Sequence, residues 1–142
     1  MSSQYIPDAL RQRVAEASRF RCGYCLTSQL IVGPLLEIDH IIPEARGGTS
    51  AEDNLFLACP MCNSHKADRH EAIDPETGVT VLLFNPRTEL WDEHFEWIEE
   101  GAVIRGKTPK GRATVALLNM NHNDVVTTRR LWVSAGWHPP KN

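Results

Sequence analysis

The sequence predicts an α+β fold, and three observations carry that prediction. Four cysteines stand in two C-x-x-C pairs, Cys22/Cys25 and Cys59/Cys62. Between the pairs lie two short apolar, β-prone runs separated by a loop rich in Gly, Ser, Asp and Asn, and a helical stretch follows the second pair. Beyond Gly78 strand-like and helix-like patterns continue to the C-terminus, with no internal repeat and no low-complexity segment.

Taken in order, Pro7 suits the first position of a helix, and Leu10, Val14 and Ala17 follow at helical spacing as far as Phe20. Leu35 to Ile42 (LLEIDHII) reads as a strand stopped by Pro43, and EARGGTSAEDN as the loop behind it. Leu55 to Ala58 reads as the returning strand. A helix is expected from Asn63 to about Ala72, ended by the Asp74-Pro75 turn. VTVLLF then predicts a strand, HFEWI and AVIRG a hairpin around Glu99–Gly101, and two helices cover Pro109 to Leu118 and about Asp124 to Ala135. The tail WHPPKN is expected to be extended or frayed. The expected division is a chemical half, 1–74, and a supporting half, 75–142, within one compact unit.

Two C-x-x-C turns supply four thiolates, which matches the tetrahedral shell of structural zinc. Gly23 and Pro60 suit tight knuckles, and a gap of 33 residues between the pairs leaves room for an inserted structure. A thioredoxin-like redox motif needs a βαβ setting that neither pair has. No apolar run approaches the roughly 18 residues of a membrane span, and MSSQYIPDALRQ has no apolar signal core, so a cytoplasmic protein is expected. The formal charge of −3 argues against a nucleic-acid partner until it is divided along the chain. Residues 101–142 hold seven Lys/Arg against the single acid Asp124, a net +6, which leaves −9 for residues 1–100. That asymmetry predicts a phosphate-facing surface from Arg105, Lys107, Lys110, Arg112, Arg129 and Arg130. Trp91, Phe95, Trp97, Trp132 and Trp137 read as core and buttress rather than base-stacking platforms.

The inserted piece has its polar residues at particular places: Asp39-His40 ending the first strand, Asn54 ending the loop, and Asn63 at the helix start. Each taken alone has a bland reading, as a capping, turn or solvated residue. The joint pattern E-x-D-H-I-I-P, G-G, N-L and C-x-x-C-N-x-x-K resembles the HNH nuclease family, the ββα-metal fold in its zinc-stapled form, from Cys22 to about Arg69. The third signature residue is Asn63 where the family name has His. A looser similarity to small free-standing bacterial HNH proteins runs through LFNPRTELWDEHFEW, GRATVALLN and RRLWVSAGWHPP.

The resemblance implies a metal-dependent endonuclease acting on DNA, double-stranded in the first instance, with no obligate protein partner evident. His40 is expected as general base, since histidine titrates near neutral pH. Asp39 and Asn63 are expected to hold one Mg²⁺ or Mn²⁺, with substrate phosphate and water completing its shell. Asn54 is expected to fix the loop opposite His40 and so orient the imidazole. Lys66 shares a helical face with Asn63 and His70 and is expected near phosphate or the metal. The position four after Asn63 is Ala67, which cannot ligate, so two protein ligands are expected, and Glu37 reads as structural. Products with 3′-hydroxyl and 5′-phosphate ends follow from the same resemblance. The alternative is a non-catalytic, zinc-stabilised nucleic-acid-binding module, for which Asp39, His40 and Asn63 together have no use.

Overall fold

A computed structural model describes residues 5–141; the MSSQ start and Asn142 lie outside the described residues. The chain forms two compact units. The first comprises the chain up to His70 together with Asn85–Glu89, and the second comprises Glu71–Phe84 and the chain from Leu90 onward.

In the first unit, helix α1 (Asp8–Ala17) starts after Pro7, which caps it from outside. Arg19 and Phe20 take left-handed backbone (φ 55° and 56°), so the helix stops short of Phe20 and turns into the first cysteine pair. A short helix α2 (Gln29–Val32) follows, capped by Ser28, a feature the sequence pattern did not suggest. Strand β1 (Glu37–His40) pairs antiparallel with β2 (Leu55–Ala58), in the register Glu37↔Ala58 through His40↔Leu55. Both strands are shorter or equal to the apolar runs that announced them. Ile6, Val14 and Leu55 form a small core with Leu10 and Ile38 against it. Tyr24 meets Phe56 edge to face at 5.1 Å.

Helix α3 departs from expectation at both ends. It spans Pro60–Lys66, with Cys59 as its N-cap and Pro60 in the first turn, so Asn63 lies inside the helix and does not cap it. It ends at Ala67, whose backbone (φ 50°, ψ −127°) cannot continue a helix. The stretch expected to prolong it forms strand β3 (Glu71–Ile73) instead, paired with β4 (Thr80–Leu82). His70 is therefore not on the helical face of Asn63 and Lys66.

The second unit contains the β3–β4 hairpin, a short helix α4 (Trp91–His94), and a hairpin of β5 (Phe95–Ile98) and β6 (Val103–Gly106) turning at Glu99–Gly101. Helices α5 (Pro109–Leu118) and α6 (Asn123–Ser134) complete it. Asp74 is fully buried in the turn after β3: it accepts from Glu76 N and Thr77 Oγ1, and from Arg112 Nε and Nη2 at 3.0 and 2.9 Å. The Arg112 guanidinium holds its carboxyl well below the usual carboxylate range. A Cβ on Gly111 would sit 2.0 Å from His94 O, so α5 meets the end of α4 only through glycine.

Arg129, expected on a phosphate-facing surface, is buried. Its guanidinium donates to Ala102 O (3.0 Å), Met120 O (2.6 Å) and Asn121 Oδ1 (3.2 Å), and lies 5.5 Å from the Trp97 ring centre. It is a structural bolt, because Ala102 and Met120 are buried and their carbonyls need a donor. The tail is not frayed either: His138 is buried, with its ring 4.5 Å from Trp97 and 5.8 Å from Trp132.

Two stability changes follow. Ala67→Gly should stabilise the chain by about 1 kcal/mol in chemical denaturation, because glycine removes the strain of a backbone region closed to side chains. Arg129→Met should destabilise it by about 3 kcal/mol, since it strands buried carbonyls.

Candidate active site and metal centre

The two knuckles bring four buried cysteines together. Their sulfur atoms all lie within 4.8 Å of one another. Cys25 Sγ and Cys59 Sγ are 3.7 Å apart. A tetrahedron with bonds of about 2.3 Å has edges of about 3.8 Å, and a disulfide needs about 2.05 Å, so this is a ligand set for one metal ion. Backbone and hydroxyl groups support the sulfurs: Cys59 Sγ accepts from Cys62 N, and Cys25 Sγ lies 3.1 Å from Thr27 Oγ1. Burial pushes the Cys22 thiol up, while hydrogen bonding with Cys22 and Cys59 holds Cys25 down. Four thiolates in one buried pocket need a cation to stand together. A soft sulfur set of this kind suits zinc.

The second cysteine pair sets α3 against β1, and the polar residues follow from that packing. Glu37 and Asp39 share one face of β1. Opposite them α3 offers Asn63 and Lys66 at i, i+3. Asn63 Nδ2 donates to Glu37 Oε1 at 3.2 Å. Lys66 is 1% exposed; its ammonium donates to His40 O at 2.7 Å and lies 3.4 Å from Asp39 Oδ2. Of the two places expected for Lys66, contact with phosphate does not fit its burial, while a position beside Asp39, the expected metal ligand, does: the helix ends at Lys66 and folds its side chain under β1, away from solvent. Burial pushes the Asp39 carboxyl up, and Lys66 pulls it back down; burial likewise lowers Lys66. Asp39 Oδ1 accepts from His40 N at 2.7 Å, whereas Oδ2 is buried with no hydrogen bond among the described residues.

His40 faces the other way, into the loop, and is 8% exposed. Its Nε2 lies 3.0 Å from Ser50 Oγ and 3.6 Å from Glu44 Oε1. Asn54 holds that loop closed: Oδ1 accepts from Ile42 N (2.8 Å), and Nδ2 donates to Ile42 O (3.0 Å) and Thr49 O (2.7 Å). Gly48 completes the closure, because a Cβ there would sit 1.7 Å from Ile42 O. Sequence reading anticipated the clamp by Asn54 and a structural, hydrogen-bonding Glu37, but not the contacts of Glu44 and Ser50. Spacing gives a weak signal for Glu44, four residues after His40, and none for Ser50.

The C-terminal cations are differently placed from the expected surface. Arg105 pairs with Glu96, Arg112 with Asp74 and Glu76, and Arg130 with Glu99 at 2.9 Å. Lys107 is exposed, and Lys110 lies in the first turn of α5. Residues 71–84 and 90–100 fold into the same unit as these cations and bring eight acids, so the second unit holds seven Lys/Arg against nine Asp/Glu. The division at residue 100 followed the chain and not the fold. Among the described residues, no helix is long and apolar enough to cross a membrane.

Residues 22–69 match the family model for HNH endonuclease. Two Septu PtuB proteins are similar over most of this chain. That of Bacillus mycoides (strain KBAB4) is 24% identical over 151 residues, covering 88% of this chain and 51% of its own length. That of Bacillus thuringiensis is 22% identical over 126 residues, covering 87% of this chain and 46% of its own. The chain therefore spans about half the length of these curated relatives. Two antiparallel strands, a following helix and a four-cysteine cluster at the helix start thus coincide with the stretch, residues 22–69, that matches the HNH endonuclease family model.

Proposed function

We propose that this chain is a metal-dependent DNA endonuclease with His40 as its general base. The observation that carries the reading is the end of β1. There Asp39 Oδ2 is buried without a hydrogen bond among the described residues, next to a histidine whose Nε2 is engaged by the loop. Lys66 Nζ lies 3.4 Å from it, and a carboxylate oxygen held by so long a contact is a hard ligand that can also take a divalent cation. Asn63 turns its Nδ2 to Glu37, so its remaining terminal atom is the oxygen that a cation requires. Mg²⁺ or Mn²⁺ held by Asp39 and Asn63 would supply positive charge for the leaving oxygen.

The rest of the chemistry belongs to the chain. His40 accepts a proton at Nδ1 from the attacking water as its oxygen bonds to phosphorus. The P–O3′ bond breaks, the leaving oxygen takes a proton from solvent, and 3′-hydroxyl and 5′-phosphate ends result. Lys66 acts from beneath: it keeps Asp39 ionised and fixes the His40 carbonyl. Asn54 holds the loop and touches no reacting atom. The four cysteines hold zinc, which ties the knuckles together in a reducing, cytoplasmic setting. Duplex DNA is met by the first unit, because Arg105, Arg112 and Arg130 in the second are engaged by acids.

Purified protein should nick or cut plasmid DNA with Mg²⁺ or Mn²⁺, and His40→Ala should lower the rate at least about 100-fold with an unchanged melting curve. Equal rates for the two proteins would remove His40 from the mechanism. Elemental analysis should find one zinc per chain. Its removal by a strong chelator should unfold the first unit, read as lost dispersion of the β1 and β2 amide resonances.

A further inference from the structure

We infer that Ser50 and Glu44 are positioning residues that fix the His40 imidazole in its Nε2–H form, so that Nδ1 carries the lone pair. The inference rests on the proposed nuclease chemistry only for its consequence; the tautomer itself is a property of the resting protein.

A neutral imidazole has one N–H and one acceptor nitrogen, and only the acceptor can take a proton from water. Two groups face Nε2: Ser50 Oγ at 3.0 Å and Glu44 Oε1 at 3.6 Å. A hydroxyl alone leaves the matter open, because serine both donates and accepts. A carboxylate settles it, because it only accepts, and its negative charge favours hydrogen on the nearest ring nitrogen. Glu44 Oε1 is buried, so this charge acts at short range with little screening by water. Ser50 Oγ then serves as acceptor from Nε2–H.

The chain geometry brings both groups to the ring. Glu44 opens a single 3₁₀ turn, Glu44–Arg46, directly after Pro43. Ser50 follows Thr49, whose carbonyl accepts from Asn54 Nδ2 at 2.7 Å. Asn54 thus acts on the imidazole at one remove: it closes the loop, and the closed loop presents Ser50. His40 is buried, which leaves its orientation to these two groups more than to solvent.

The test is long-range ¹H–¹⁵N correlation of His40 in the zinc-loaded full chain without added Mg²⁺ or Mn²⁺, at about pH 8, where histidine is ordinarily neutral. The expected spectrum shows protonated Nε2 and bare Nδ1. Ser50→Ala combined with Glu44→Ala should shift the signals toward a tautomer mixture. The same pair should lower kcat about 10- to 100-fold with KM nearly constant, whereas Ser50→Thr made alone, which keeps the hydroxyl, should keep the unsubstituted rate. A wild-type spectrum with protonated Nδ1 overturns the inference, as does a double variant with unchanged tautomer and kcat. A protein that shows Nε2–H but never cuts DNA supports the positioning role and sinks the nuclease reading. The two failures are therefore told apart.

Discussion

Everything in the first unit depends on one contact set, the convergence of four cysteine sulfurs at the start of α3. The core on the α1 side is small, with Ile6, Val14 and Leu55 at its centre. Hydrophobic burial on that scale, at about 1.5–3 kcal/mol per side chain, does little to fix where a seven-residue helix points. The knuckles do fix it. Cys59 caps α3 and Cys62 sits one turn on, so the convergence of both with Cys22 and Cys25 sets the position and roll of the helix, and a metal ion there would lock it. Asn63 and Lys66 then have no choice but to face Glu37 and Asp39.

Lys66 shows how that roll is used. A lysine in the last turn of an exposed helix ordinarily reaches solvent, and its placement in a C-N-x-x-K pattern invites a phosphate role. Here the ammonium is buried between a carbonyl and a carboxylate. Leaving either oxygen buried and bare costs about as much as a lost hydrogen bond to a charged group. Lys66 therefore closes the β1–α3 seam and also offsets the penalty that burial puts on the ionised Asp39. Such a charge tempers any cation brought to Asp39, since two positive groups then share one carboxylate. The seam is a compromise between a rigid frame and a carboxylate kept ionised.

How much of this was legible depended on whether the signal was local. Cysteine spacing, the LFLA strand and the Thr108-capped helix from Pro109 to Leu118 are statements about neighbouring residues, and they survive folding. The helix expected beyond Asn63 failed for a reason no window shows. Its residues Glu71–Ile73 find a strand partner, Thr80–Leu82, that competes with helix continuation, and Ala67 has already broken the chain direction. Charge was the least legible feature. Six cations near the C-terminus looked like one surface, yet Glu96, Glu99, Asp74 and Glu76 come from earlier in the chain to pair with three of them, and Arg129 is drawn inside.

The candidate site divides along the same line. Asp39 and His40 are adjacent and Asn54 ends a recognisable loop, so their grouping can be read from order alone. What surrounds the imidazole cannot. Glu44 and Ser50 are ordinary loop residues until Asn54 joins Ile42 to Thr49 and forces the segment between them to fold back over His40. The adjacency of Asp39 and His40 then acquires a purpose. On a strand they must point apart, one toward α3 and one toward the loop, so each is tuned by a different element. Lys66 sets the charge of the carboxylate, and the loop sets the orientation of the ring. Two neighbouring residues at the same strand end are thereby held by different elements, so each can be set without disturbing the other.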